Sequence, residues 1–346
     1  MYKRQGDNGK SASGSVYVFT RSSTDETFTQ QSKLHASDAA ASDLFGRSVS
    51  LYGDTALIGA PGDDDDSKSG SGSVYVFKAP PPPPPSPPPS PPLPPPPLFL
   101  TSLVEYATHP KLYASDAAAK DYFGISVSLY GDTALIGAFF DDDHGKSSSG
   151  SVYVFTRSNT DGGTFTQQSK LHASDPAATD MFSMSVSLYG DTALIAAHGD
   201  DDNSKSNSGS VYVFTRSSVD GTFTQQSKLH ASDAAVNVQF GISVSLHGDT
   251  ALIGAVNNGQ SNPGSVYVFT RSSTDGKFTQ QSKPHANDAA VDDPFGYSVS
   301  LNGDTALIGA IYDNGNGKSK SGSVFVFTRS SVDGGTFTLQ SKLHSG

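Results

Sequence analysis

The 346-residue chain has no cysteine and no tryptophan, and only three methionines. The lack of thiols excludes disulfide frameworks, thiolate metal centres and cysteine nucleophiles together, and it leaves the compartment open. Positive charge is also scarce, with 23 Lys and Arg against 34 Asp and Glu, a formal charge of −11. That balance argues against a nucleic-acid partner, because neutralising phosphates dominates such binding. No run of roughly 18 apolar residues reads as a membrane span. The opening Met1 to Asp7 lacks the apolar stretch of a signal peptide. Helical periodicity is missing throughout. What the chain has in quantity is glycine, 35 residues, and repetition.

The string Gly-Asp-Thr-Ala-Leu-Ile begins at Gly53, Gly131, Gly190, Gly248 and Gly303. Ser-Val-Ser-Leu precedes each copy. In four of them Phe-Gly lies further upstream, at Phe45-Gly46, Phe123-Gly124, Phe240-Gly241 and Phe295-Gly296, whereas the third reads Phe182-Ser183. A second block, Ser-Val-Tyr-Val-Phe, ends at Phe19, Phe77, Phe155, Phe214 and Phe269, with a Ser-Val-Phe-Val-Phe version ending at Phe327. A repeat of this length is one supersecondary unit that needs neighbours to bury its apolar face. Within one period, residues 46–52 alternate small polar and apolar side chains, the signature of a strand. Gly53-Asp54 makes a tight turn. Residues 55–60 are apolar on both faces, residues 73–77 are β-branched and aromatic, and residues 164–171 of the third unit read as a polar outer strand. Four antiparallel strands with small inner and polar outer residues describe a propeller blade.

Phe-Gly-x-Ser-Val, then Gly53 to Pro61, an acidic loop and Gly-Ser-Val-Tyr-Val-Phe together resemble the FG-GAP repeat, which builds the propeller of integrin α chains. The likeness is nearer to the short-turn variant of that repeat seen in microbial and algal proteins. It implies an all-β, single-domain β-propeller over residues 1–346, with five complete four-stranded antiparallel blades and an N-terminal half-blade at 1–35. On that count a six- or seven-bladed ring is expected, its missing strands supplied upstream. Residues 78–110 read as a Pro-rich insertion and altered outer strand of the first complete blade. Within it, residues 80–97 hold 15 of the 21 prolines, an extended polyproline II segment and a candidate ligand for proline-recognising modules.

Blade topology gathers 22 of the 34 acidic residues on one face, in the loops between strands two and three and in the blade-to-blade connections. Arg21, Arg157, Arg216, Arg271 and Arg329 fall on the other face. Asp63, Asp65, Asp141, Asp143, Asp200 and Asp202 are candidate metal ligands, with calcium as the candidate cofactor, because such runs offer the oxygens that calcium takes. The opposing reading is that Asp, Ser and Gly simply form solvated turns. The integrin calcium loop has no counterpart, since Tyr52-Gly53-Asp54 is too short to wrap an ion. The turn aspartates Asp54, Asp132, Asp191, Asp249 and Asp304 read as bonding backbone donors. His35, His172, His230, His285 and His344 recur once per blade and read as structural. The aromatic pairs, Tyr17 and Phe19 through Phe325 and Phe327, read as packing between blades. No nucleophile elbow or phosphate loop is present, and Met181 and Met184 are the main irregularity of the inner strands.

These features favour a non-enzymatic binding or adhesion module of a surface or secreted protein, with an extracellular or cell-surface location. Its acidic loops, with the loops 61–72, 139–150, 198–209, 256–264 and 311–322 setting selectivity, would take a protein or glycan partner. The first alternative is a propeller enzyme, or an accessory domain of a larger hydrolase, with its site in the central channel. The second is a fragment without independent function.

Overall fold

A computed structural model of the chain describes residues 10–22, 25–65, 67–79, 107–108, 110–158, 163–256, 263–285, 293–314, 320–330 and 335–344. The polyproline stretch at 80–97 lies outside the described residues. No helix among the described residues is long and apolar enough to cross a membrane.

Thr, Val, Ile, Tyr and Phe dominate the repeated blocks, and they form strands wherever they recur. A two-stranded sheet comes first, β1 (Val16–Arg21) and β2 (Phe28–Leu34). Blade 1 follows with β3 (Ser48–Tyr52), β4 (Thr55–Ala60), β5 (Ser73–Lys78) and the short β6 (Ala107–Thr108). Blade 2 comprises β7 (Val127–Tyr130), β8 (Thr133–Ala138), β9 (Ser151–Arg157) and β10 (Phe165–Leu171). Blade 3 comprises β11 (Phe182–Tyr189), β12 (Thr192–Ala197), β13 (Ser210–Arg216) and β14 (Phe223–Leu229). Blade 4 comprises β15 (Phe240–His247), β16 (Thr250–Ala255), β17 (Ser265–Arg271) and β18 (Phe278–Ser282). Blade 5 closes the series with β19 (Phe295–Asn302), β20 (Thr305–Ala310), β21 (Ser323–Arg329) and β22 (Phe337–His344). Each blade is an antiparallel four-stranded sheet in chain order, as the alternating pattern predicts.

The core lies between blades. Along Ser-Val-Tyr-Val-Phe the valines point to one side and the aromatics to the other, the two-residue period of a strand. Val152 and Val154 of blade 2 therefore pack in one cluster with Phe182, Tyr212 and Phe214 of blade 3. Within each blade the Phe of Phe-Gly sets its ring edge-on to both strand-three aromatics, as Phe123 does to Tyr153 and Phe155 at 5.4 and 6.0 Å. Offset edge contacts of this kind suit the ring quadrupole.

Both serines of Ser-Val-Ser-Leu work across blades. Ser48 donates to the Gly124 carbonyl and Ser126 to that of Ser183, both at 2.7 Å. The second serine accepts from the next inner strand, Ser50 from Leu129, Ser128 from Leu188, Ser187 from Leu246 and Ser245 from Leu301, each at 2.9 Å. A repeated hydroxyl thus satisfies backbone groups that have no ladder partner near the axis. The Gly after Phe takes a left-handed φ in four blades, +89° at Gly124 for example, and Ser183 is held at φ +89° in the third. A side chain is strained there. The Ser183 hydroxyl is also buried without a hydrogen-bond partner.

Candidate functional site

The acidic loops divide their labour by position. The first aspartate of each run is buried: Asp63, Asp141, Asp200 and, in blade 5, Asp313. Each accepts from the serine that opens strand three, namely Ser73, Ser151, Ser210 and Ser323. Each also meets a lysine of the outer strand or its continuation, Lys111, Lys170, Lys228 and Lys342, at 2.8 to 3.0 Å. Three of these lysines hold a second carboxylate from the connection that enters their own blade from the preceding unit, Lys111 to Asp38, Lys170 to Asp116 and Lys228 to Asp175, at 2.6 to 2.9 Å. A strand-three tyrosine donates to that same group, as Tyr153 does to Asp116 at 2.8 Å. Burial works against the Asp116 charge, but the hydrogen bonds from Lys170 and Tyr153 outweigh it and hold the carboxyl below its usual range. The same burial is outweighed at Lys170 by Asp116 and Asp141, so its ammonium is held above its usual value.

The second aspartate closes its loop. Asp64 accepts from the Gly70 backbone at 2.8 Å, Asp142 from Ser148 at 2.7 Å and Asp201 from Asn207 at 2.7 Å. Of the third aspartates, Asp65 and Asp202 each send a backbone N–H to a serine hydroxyl, and Asp202 Oδ2 lies 3.7 Å from His230 Nδ1. Asp143 turns its carboxylate toward His144 and His172. Of the six aspartates singled out as metal ligands, Asp63, Asp141 and Asp200 already carry a lysine and a serine, and Asp143 is the one that joins two further potential ligands among the described residues. The predicted acidic face is also interleaved with lysines that the loop count overlooked, because they come from outer strands.

On the opposite face the turn aspartates bond a neighbouring hydroxyl through their side chains, as Asp54 accepts from Thr55 at 2.8 Å. The strand-three arginine of the following blade reaches the same threonine. Arg157 donates to Thr55, Arg216 to Thr133, Arg271 to Thr192 and Arg329 to Thr250, at 2.5 to 2.8 Å. These arginines staple blades together.

The axis also carries side chains that change from blade to blade. A cavity of about 360 Å³ opens there, lined by all five inner strands or the residues leading into them. The variable residue of Phe-Gly-x-Ser-Val, or of its Phe-Ser counterpart, is Arg47, Ile125, Met184, Ile242 and Tyr297 in blades 1 to 5, and all five line this cavity. Ile125, Met184 and Ile242 are half-buried, whereas Arg47 and Tyr297 are exposed at its rim. Among the described residues Arg47 has no ion-pair partner, and it is the one charged group in the lining. Sequence reasoning missed this site, although its signal was present: the residue before the constant Ser-Val-Ser-Leu changes from Arg to Ile, Met, Ile and Tyr along the five copies.

Five four-stranded antiparallel blades around a lined axis define a β-propeller domain. The chain belongs to the FG-GAP repeat family, whose model matches residues 28–77, 107–155, 165–214, 223–269 and 278–327. Each match starts near the outer strand of one blade and ends with the third strand of the next, so the family repeat is out of phase with the blade. Among solved structures, a functionally unknown protein from Desulfotomaculum acetoxidans superposes with a TM-score of 0.54 at 9% identity, covering 95% of this chain and 77% of that one. The periplasmic gluconolactonase of Pseudomonas aeruginosa gives 0.45 at 12% identity, over 95% and 92% of the two chains. A candidate 6-phosphogluconolactonase from Bacteroides fragilis gives 0.47 at 13% identity, over 95% and 90%. No curated protein matches the sequence.

These neighbours correct one expectation. The expectation of a non-enzymatic module is corrected to no assignment of activity in either direction: proteins named as gluconolactonases are among the solved structures matched, and a propeller fold by itself excludes no chemistry. At such identity the likeness concerns the fold alone and assigns no reaction. Neither the geometry nor the neighbours support an adhesive role.

Proposed function

We propose that the domain is a ligand-binding propeller whose axial cavity takes a small organic anion with an apolar body. One observation carries this reading: the position just before Ser-Val-Ser-Leu, filled by Arg47, Ile125, Met184, Ile242 and Tyr297, supplies four kinds of side chain to one cavity. A purely structural position would repeat, as the neighbouring serines do. Arg47 offers a planar fork for a carboxylate or phosphate, with no competing partner among the described residues. Ile125, Met184, Ile242 and the valines beside them form apolar walls, and the Tyr297 ring stands at the rim. Ser48, Ser126, Ser185 and Ser298 add hydroxyls to the same lining, so apolar walls stand beside polar groups of the kind that fix a small ligand's orientation. The net charge of −11 repels anions at long range, so affinity has to come from contact with Arg47 and the walls together.

Calorimetric titration of the full chain with a panel of small carboxylic and phosphorylated acids tests the proposal. At least one compound is expected to bind. Arg47→Gln is expected to weaken it tenfold or more, and Met184→Trp to block it by filling the cavity. Absence of any binder at millimolar concentration, or binding indifferent to both variants, refutes the reading. Product analysis of the same incubations distinguishes a binding module from an enzyme.

A further inference from the structure

Blade 2 brings together three side chains that its sister blades do not. Asp143 Oδ2 lies 3.1 Å from His144 Nδ1 and 3.4 Å from His172 Nδ1. All three residues present a ligating atom within 4.8 Å of the others, the one such group of three or more His, Cys, Asp or Glu side chains among the described residues. Asp143 Oδ2 is buried and accepts no hydrogen bond, even though two imidazoles face it. The two rings approach to 4.3 Å between centroids at 55°, neither stacked nor hydrogen-bonded to each other.

We propose that Asp143, His144 and His172 bind a divalent transition cation of the zinc class, leaving at least one coordination position open to solvent or to a partner's ligand. Donors at about 2.0–2.2 Å around a tetrahedral ion stand roughly 3.3–3.5 Å from one another, so the two measured separations already lie close to that spacing. Two imidazoles and one carboxylate suit zinc, copper or nickel, whereas calcium and magnesium take oxygen shells. The side chains of His144 and His172 are 50% and 42% exposed, which gives an ion a way in. Lys170 lies 3.8 Å from Asp143 Oδ1, but its charge is already matched by Asp116 and Asp141 at 2.7 and 2.8 Å. The Asp143 backbone is pinned from both sides of the loop, its N–H donating to Ser149 Oγ and its carbonyl accepting from Lys146 N–H at 2.9 Å.

The other blades act as internal controls. In blade 3 the equivalents of Asp143, His144 and His172 are Asp202, Asn203 and His230, so one imidazole is missing. In blade 1, Tyr113 stands where His172 stands in blade 2.

The test uses the full chain, stripped with chelator and dialysed, titrated with zinc chloride by calorimetry at pH 7.5. One equivalent is expected to bind in the micromolar range, and excess calcium is expected not to displace it. His144→Asn, the residue blade 3 carries, and His172→Tyr, the residue blade 1 carries, are each expected to weaken zinc at least tenfold while the circular dichroism stays unchanged. Cobalt substitution adds a spectroscopic readout: the visible bands of a low-coordinate ion are expected in the parent chain and lost in both variants. Failure of the parent chain to take up zinc saturably, displacement by calcium, or parent-like affinity in both variants overturns the proposal.

Discussion

His198 occupies a position filled by Pro61, Phe139, Val256 and Ile311 in the other complete blades. It is buried, and its Nδ1 has no hydrogen-bond partner. Burial lowers its pKa from 6.5 to about 4, so the native state keeps the ring neutral while the unfolded chain protonates it near the ordinary value. Stability is therefore complete above pH 6.5 and falls as pH drops from 6.5 through 4, by on the order of 3 kcal/mol. His198→Val, copying Val256, is expected to remove this term. Urea unfolding at pH 7.5 and pH 4.5 checks it: the variant should gain on the parent at the lower pH, and an equal difference at both would show that His198 is not held neutral by the fold.

At the scale of the blade, the Asp–Ser–Lys–Tyr network explains residues that no local propensity demands. In blade 3, Lys228 neutralises the buried Asp200 as well as the more exposed Asp175. In blade 4, whose sequence at 256–264 has no acidic residue, Lys283 pairs among the described residues with the exposed Asp233 alone, at 2.6 Å. Lys228→Met leaves a carboxylate buried and uncompensated, and is expected to cost about 3 kcal/mol. Lys283→Met breaks an exposed pair and is expected to cost roughly 1 kcal/mol or less. Urea midpoints of the two variants at pH 7.5 decide it, and equal losses would mean that the buried aspartate is not the reason for the lysine. The strands themselves were legible because hydrophobic alternation and the Gly-Asp turn are local, and observed β4 spans the predicted residues 55–60. The network was not, since Lys170 and Asp116 are 54 residues apart and only blade curvature joins them. The axial cavity was hidden for a related reason. Ile125 and Met184 look like ordinary strand residues until five copies of the position meet at one axis.

Across the whole molecule, stability should not be uniform, because each blade is covered only by its neighbours. The inner strand of blade 2 buries Val127 and Leu129, whereas the matching Val49 and Leu51 of blade 1 are 59% and 73% exposed. At the other end of the series, Leu307 and Val324 of blade 5 are 40% and 38% exposed, where Leu194 and Val211 of blade 3 are fully buried. The clusters joining blade 2 to blade 3 and blade 3 to blade 4 have covered faces on both sides. Local opening follows buried apolar contact, so the amides of β12 and β16 should exchange most slowly. Those of β3 and β20 should exchange roughly tenfold faster or more. Hydrogen exchange followed by mass spectrometry under native conditions reads this directly. Uniform protection across the five blades would mean that the domain opens only as a single cooperative unit, with the terminal faces held by something other than the packing of one blade on the next.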